Sequence, residues 1–463
     1  MTILNILYVI AAVVFLFGAA IFLHEFGHFC VARMLGMKVE EFAIGMGPKM
    51  FSRNRNGIFY SIRWIPAGGF VKLPQMITSE ALEGKSEVPV PPAPPLHKIL
   101  VAFAGPFMNV VFAFAIASVI YFVGLPVAVN PSIIGDVEPG SPEAKLGIHE
   151  GDRIIAVNGK LVKSWQDVQV TTAMARTNVM AVTIERAGTK TIYYLAAKIN
   201  EQVGLKLLDL DPKEHPAIIE VMPGSAAEMA GLKQGDEIMS FAGVPVVGQQ
   251  QLVSLIKKRP GKSSDIEVIR EKGRRKFTVT PKFDPTTKVG LMGVIISPSA
   301  VTVYQVQKPG PLPWELVGEV CQQSFSLITA LIHSKQTGVG VKNLSGPPGI
   351  LAMLATQVKT DYRLALKFMV LLNISLAIIN LLPVPVLDGG HIAMAILEKL
   401  RGRPLSTRIQ EIATTAFAFV LISFMVYISV NDLKHFSLFR SMFKQQVQIE
   451  SGASEPDVPT PAR

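Results

Sequence analysis

Four stretches of this 463-residue chain are apolar over roughly twenty residues each, and no other feature constrains the fold as much. They are Ile3–Leu23, Ile99–Val127, Phe368–Leu387 and Ala413–Val430. About 20 apolar residues are needed to cross the hydrocarbon of a bilayer. Backbone in lipid must satisfy its own hydrogen bonds, so each stretch is expected as a helix. Composition agrees: 49% of residues are hydrophobic and 17% are charged, against roughly 25% charged in soluble proteins. A disordered chain is excluded. So is a disulfide scaffold, since Cys30 and Cys321 are the only cysteines and are expected as plain buried thiols. The first stretch does not read as a signal peptide: no basic residue precedes it and no small-residue cleavage site follows.

The net charge of +10 has an uneven distribution. Arg33, Lys38, Lys49, Arg53, Arg55, Arg63, Lys72, Lys85 and Lys98 follow the first span, and Lys399, Arg401, Arg403 and Arg408 lie between the third and fourth. The positive-inside bias puts both loops in the cytoplasm and both termini outside. The basic surplus is thus a topology signal, and no nucleic-acid partner is expected.

Between the second and third spans the chain repeats itself. Pro139-Gly-Ser-Pro-Glu-Ala-Lys-Leu-Gly147-Ile-His-Glu-Gly151-Asp152 aligns without gaps to Pro223-Gly-Ser-Ala-Ala-Glu-Met-Ala-Gly231-Leu-Lys-Gln-Gly235-Asp236, at an offset of 84 residues. Each copy reads as a short helix, a Gly-Asp turn and an alternating strand. The pattern resembles the PDZ domain in its circularly permuted form. PDZ domains add a peptide strand to a sheet edge and hold a carboxylate on backbone amides. The resemblance therefore makes Gly204, Leu205, Gly290 and Leu291 candidate positions for binding peptide C-termini, with ordinary turns as the alternative.

His24-Glu25-Phe26-Gly27-His28 follows the first apolar stretch. Residues four apart share a helix face, so both imidazoles reach one zinc ion, with Glu25 beside them to accept a proton from water. Ionisable groups at the end of a span are costly and mark function. Zinc hydrolases use three protein ligands. The first and third spans run in the same direction, which brings Asp388, in Asn380-Leu-Leu-Pro383-Val-Pro385-Val-Leu-Asp388-Gly-Gly, to the depth of the histidines. His391 is a lower-ranked competitor.

Together, H-E-F-G-H, Gly105-Pro-Phe-Met-Asn109 and the N-L-L-P-V-P-V-L-D-G-G stretch resemble the site-2 protease family, in the bacterial form with two extracytoplasmic PDZ copies. The resemblance implies one Zn2+ on His24, His28 and Asp388, and Glu25 as the general base. It implies substrate contacts at Asn380, Pro383, Pro385 and Asn109, and at Gly68, Gly69 and Phe70 of a membrane-associated β hairpin. Its expected substrates are single-pass membrane proteins, such as an anti-sigma factor already cut once outside the membrane or a remnant signal peptide.

The fold expected is a polytopic α-helical membrane protein of four transmembrane helices, with two inserted β-rich PDZ domains and a short hairpin, in the bacterial inner membrane. The expected segments are 1–36, first helix; 37–98, cytoplasmic loop with a hairpin over Ile58–Leu73 and a Pro-rich linker at Pro89–Pro95; 99–127, second helix; 128–212 and 213–300, PDZ copies; 301–363, outer connector; 364–388, third helix carrying Asp388; 389–412, cytoplasmic loop; 413–430, fourth helix; and 431–463, outer tail, partly disordered. Two rival readings remain. A peptide-tethering scaffold would have no use for Glu25, and a zinc transporter would need several ligand sets along a path.

Overall fold

A computed structural model describes residues 3–76, 91–199, 205–271, 273–297, 301–337, 339–403, 406–434 and 446–450. Gly204, the first residues of the Pro-rich linker and the expected disorder after Glu450 lie outside the described residues. The chain forms two compact units.

The first unit comprises 1–125, 308–325 and 345–434. It contains helices α1 (Ile3–Met34), α2 (Pro95–Val123), α3 (Tyr362–Asn380), α4 (Asp388–Arg401) and α5 (Thr407–Lys434). All but α4 are long and apolar enough to cross a membrane. α2 and α3 lie innermost, while α1 and α5 turn most of their apolar surface outward. Ala113, Ile116 and Ile120 of α2 pack with Met369, Val370 and Ile374 of α3 in the unit's core. Outward-facing Phe15 and Phe419 need no protein cover where lipid is the solvent.

Several boundaries differ from expectation, each for a local reason. The second helix begins at Pro95, where a proline costs no hydrogen bond, and stops at Gly124, whose φ of 85° is open to glycine. Residues 125–127, expected in that span, instead enter a short strand, Leu125–Ala128. The third helix stops at Asn380 rather than 388, because Pro383 and Pro385 lack the amides that would continue it. Asp388 therefore opens α4, in a region expected as a loop. The fourth helix gains polar residues at both ends and covers Thr407–Lys434. Residues 347–360 of the expected connector form a helix whose start is capped by Asp432 of α5, which accepts the Gly346 and Gly349 amides at 2.8 and 2.9 Å.

The hairpin is also larger than expected: Ile58–Lys72 is one strand, β2, paired with β1 (Glu41–Arg55) through the Asn56-Gly57 turn. β1 escaped notice because Gly45 and Gly47, both at positive φ, and Pro48 interrupt its alternation. Glu41–Ile44 pairs with both Phe59–Ile62 and Gly69–Lys72, leaving Gly69–Lys72 outermost.

The second unit comprises 126–307, 326–344 and 435–463, and it holds the repeat. One sheet runs in the order Lys160–Leu161, Arg153–Val157, Val179–Arg186, Thr189–Ile199, Lys206–Leu208. The other runs Gly273–Val279, Ser264–Arg270, Glu237–Phe241, Ala217–Val221, Val294–Ser297. Ser141 and Ser225 cap matching short helices, and Trp165–Ala173 and Gln249–Lys257 are matching longer ones. Each copy has its own core, around Ile154 and Val182 in one and around Ile238 and Phe241 in the other. In the tail, Gln446–Glu450 is a strand parallel to Val301–Gln307.

The repeat also hides an ion pair that the aligned motif does not include. Arg186 grips Asp152 through Nε–Oδ1 at 2.6 Å and Nη2–Oδ2 at 2.5 Å, while Nη2 also donates to the Gly147 carbonyl. Arg270 does the same to Asp236, at 2.6 and 2.7 Å, and to the Gly231 carbonyl. Bidentate Arg–carboxylate pairs are the strong form of this interaction.

Candidate metal centre

One face of α1 carries His24 and His28, one helical turn apart. Their Nε2 atoms lie 3.3 Å from each other. Asp388, at the first position of α4, places Oδ2 3.4 Å from His24 Nε2 and Oδ1 3.4 Å from His28 Nε2. Four-coordinate zinc holds its ligands at about 2.0–2.1 Å, and tetrahedral geometry then separates any two of them by about 3.3–3.4 Å. The 3.3 Å between the two imidazole nitrogens fits that spacing, and the Asp388 carboxylate bridges the pair with one oxygen towards each. Among the described residues this is the one cluster of three His, Cys, Asp or Glu side chains arranged to share an ion, and His391 is not in it.

α2 builds the back wall of the cluster. His28 Nδ1 donates to the Val101 carbonyl at 2.7 Å, which leaves Nε2 free to face the cluster. Asn109 Nδ2 lies 3.2 Å from His24 Nδ1, and Asn109 Oδ1 is buried without a hydrogen-bond partner. Between them stands Gly105. A Cβ there would overlap His28 Nε2 and come within 2.5 Å of His28 Cε1 and 2.8 Å of His24 Cε1. Val101, Gly105 and Asn109 are thus successive positions of one four-residue ladder, running antiparallel to the two histidines.

Asp388 is held by a similar economy of space. Cβ atoms on Gly389 or Gly390 would overlap the carbonyls of Leu381, Leu382 and Val384, so the double glycine lets α4 start tight against the turn after α3. At the far end of α4, Glu398 accepts from Lys98 of α2 at 2.8 Å, both side chains being buried. Sequence reasoning missed this pair, because nothing in either local pattern points to a partner 300 residues away.

The other expected residues fall in two places. Glu25 faces the hairpin: a Cβ on Gly69 would lie 2.8 Å from Glu25 Cγ and 2.8 Å from the Ala43 carbonyl. Gly68, at a φ of 81°, packs near Met46, and Phe70 lies under the Arg63 guanidinium at 4.7 Å. Asn380 is the last residue of α3, with Pro383 and Pro385 in the turn that follows. Asn109 is 1% exposed and lies against His24.

The family model described as Peptidase family M50 matches residues 12–424, nine-tenths of the chain and the whole of the cluster. The chain belongs to that family. The regulator of sigma-E protease RseP of Salmonella typhimurium is 30% identical over 457 residues, covering 93% of this chain and 99% of that protein. The protein of the same name from Escherichia coli K12 is 29% identical over 457 residues, with the same coverage. A Neisseria meningitidis protein described as a zinc metalloprotease is 29% identical over 447 residues, 92% of this chain and 99% of that one. This M50 peptidase is a membrane-embedded zinc metalloprotease of the site-2 type.

In the second unit, Leu291 is half-exposed, and Gly290 is buried where a Cβ would come within 2.5 Å of the Ile256 carbonyl. Gly290 pairs with Phe283 in a short two-stranded sheet. Leu205 is half-buried, next to the strand Lys206–Leu208. That strand and the Trp165–Ala173 helix form one wall of a cavity of 560 Å³, and Gln250, Val253 and Lys257 of the second copy form the other.

Proposed function

We propose that this M50 peptidase binds one zinc ion on His24, His28 and Asp388 and cleaves single-pass membrane proteins within or near their transmembrane helix. The coincidence that carries this reading is two imidazole nitrogens 3.3 Å apart, each 3.4 Å from one oxygen of the same carboxylate, with Glu25 beside them on a helix long enough to cross a membrane. Zinc in such a site supplies Lewis acidity to the scissile carbonyl and to water. Glu25 takes the proton from the attacking water and passes it to the leaving amide nitrogen. A substrate helix hides its carbonyls in i to i−4 hydrogen bonds and must unwind to be cut. Each bond lost in lipid costs several kcal/mol unless protein groups replace it. The Gly69–Lys72 edge of β2 offers backbone partners next to Glu25, and Asn380 with the proline turn orients the opened segment.

The basic loops give the topology of the proposal: both termini and the repeat outside a bacterial inner membrane, and the zinc near its cytoplasmic side. The repeat is a PDZ tandem that acts first as a size filter, since a folded outer domain cannot follow its helix into the enzyme. The cavity between the copies favours a second role, holding the new C-terminus of a trimmed substrate. The substrate class is an anti-sigma factor already cut once outside the membrane or a remnant signal peptide; relatives named for regulation of sigma-E support the first. Neither rival reading has comparable support, since only one ligand cluster is present among the described residues.

The test is cleavage by the full-length protein in proteoliposomes, using single-span proteins with and without their outer domain. Zinc-dependent cutting of the trimmed form, abolished by chelation and restored by zinc, supports the reading; an unchanged substrate sinks it. Removing residues 128–300 is expected to admit the untrimmed form. If that variant still spares it while cutting the trimmed one, the filter is wrong.

A further inference from the structure

We propose that Asn109 is a positioning residue that fixes the tautomer of His24 through its amide oxygen. The inference rests on reading the cluster as a zinc centre, and it concerns how α2 prepares that centre. An imidazole that gives its Nε2 lone pair to a metal carries its proton on Nδ1, and that N–H needs an acceptor. For His28 the acceptor is plain: the Val101 carbonyl at 2.7 Å. For His24 the side chain in place is Asn109, whose Nδ2 stands 3.2 Å from Nδ1.

Two N–H groups cannot bond to each other. In that orientation His24 would have to accept at Nδ1, moving its proton to Nε2 and turning a donor towards Asp388 and His28. The same orientation leaves Asn109 Oδ1 buried with no partner, a cost of about 1–3 kcal/mol. The oxygen and nitrogen ends of an amide have nearly the same shape, so the hydrogen-bond network decides which end faces where. Turning the amide over removes the meeting of two donors. Oδ1 then accepts the Nδ1–H of His24, and Nε2 is left bare towards the cluster. Asn109 repeats, from a side chain, what Val101 does from the backbone two turns earlier on α2.

The test compares zinc retention in the full-length protein, titrated with a competing chelator, across wild type, Asn109→Leu and Asn109→Asp. Leucine keeps the volume and removes the acceptor; aspartate keeps an acceptor whichever way it turns. The proposal expects Asn109→Leu to weaken zinc binding about 10- to 100-fold, the range for outer-shell partners, and Asn109→Asp to stay near wild type. A merely packing role predicts the reverse order, because aspartate buries a charge and leucine does not. If the leucine protein fails to fold, Asn109→Asp still decides the question, because it keeps the acceptor. Equal zinc affinity for Asn109→Leu and wild type, or failure of Asn109→Asp to rescue, overturns the proposal. Zinc binding by wild type that is indifferent to His28→Ala strikes instead at the zinc-centre reading itself.

Discussion

Gly105 of α2 lies against the ring of His28 with no room for even a methyl group between them. The chain approaches the candidate metal centre here with bare backbone, and the smallest possible substitution is a sharp probe. Gly105→Ala is expected to displace His28 and to lower zinc content per chain well below wild type, read by elemental analysis of purified protein. Gly318→Ala, at a helical glycine with open space around it, is the matched control and keeps wild-type zinc. Full zinc occupancy in Gly105→Ala would show that the ladder on α2 is not part of the site.

Glu25→Gln separates chemistry from assembly. The amide keeps the shape that packs against Gly69, so zinc content is expected to stay at the wild-type level. Loss of a general base is worth about 10²–10⁴ in rate, and turnover of a trimmed substrate in proteoliposomes should fall by at least that much. Cleavage at the wild-type rate would remove Glu25 from the mechanism.

The two Arg–Asp clamps predict an ordered loss of stability. Removing one partner of a buried pair strands the other charge and costs about 3–5 kcal/mol. Asp236 is fully buried, and Arg270 also stacks on Phe277 at 4.8 Å, so Arg270→Ala should approach that range. Arg186 has a side chain 47% exposed. Arg186→Ala is therefore expected to cost less. Thermal unfolding of the full-length variants in detergent checks the order; the reverse order would mean that burial does not set the worth of these pairs.

A pH dependence follows from Asp211, which accepts the Gln250 and Gln251 amides at 2.6 and 3.1 Å. Burial pushes its carboxyl up to about 6, against the pull of those amides. The folded state therefore holds this proton after the unfolded chain has lost it, and stability falls as pH rises from about 4 to 6, by about 3 kcal/mol in all. Asp152 acts in the opposite sense. Burial pushes it up too, but the Arg186 and His149 hydrogen bonds outweigh burial and hold it below the usual carboxylate range, so its contribution is lost only in stronger acid. Asp211→Asn should flatten the decline between pH 4 and 6 and raise stability at pH 7. An unchanged pH profile in that variant would remove Asp211 as its source.

What the sequence revealed depended on how far apart the cooperating residues are. His24, Glu25 and His28 were legible because helical periodicity acts over four residues, and Asp388 because it follows the third span closely, on the side that the span's direction fixes. Periodicity says nothing about which groups on another helix meet the far side of a ring, so the contacts of Val101 and Gly105 with His28 were out of reach. Lys98 and Glu398 were hidden for the same reason. The early stop at Asn380 had visible prolines, but an apolar count runs straight through Leu387 because hydropathy does not register a broken backbone. Arg186 and Arg270 keep the offset of Asp152 and Asp236, yet they lie beyond the recognisable motif, within strands otherwise diverged.

The ladder on α2 also bears on how the membrane helices find each other. Lipid offers α1 and α2 little hydrophobic reason to prefer one alignment, and small residues such as Gly27, packed on the Ala104 carbonyl, allow close approach at several. A slip of one turn, about 5.4 Å, puts either Asn109 opposite His28 or Gly105 opposite His24. The first drives a side chain into the space that Gly105 leaves open, and the second takes away the amide that His24 needs. Either mistake leaves a buried imidazole unpaired in a medium without water. If these groups prepare a metal site as proposed, they would also favour one docking of α1 on α2 over its neighbours.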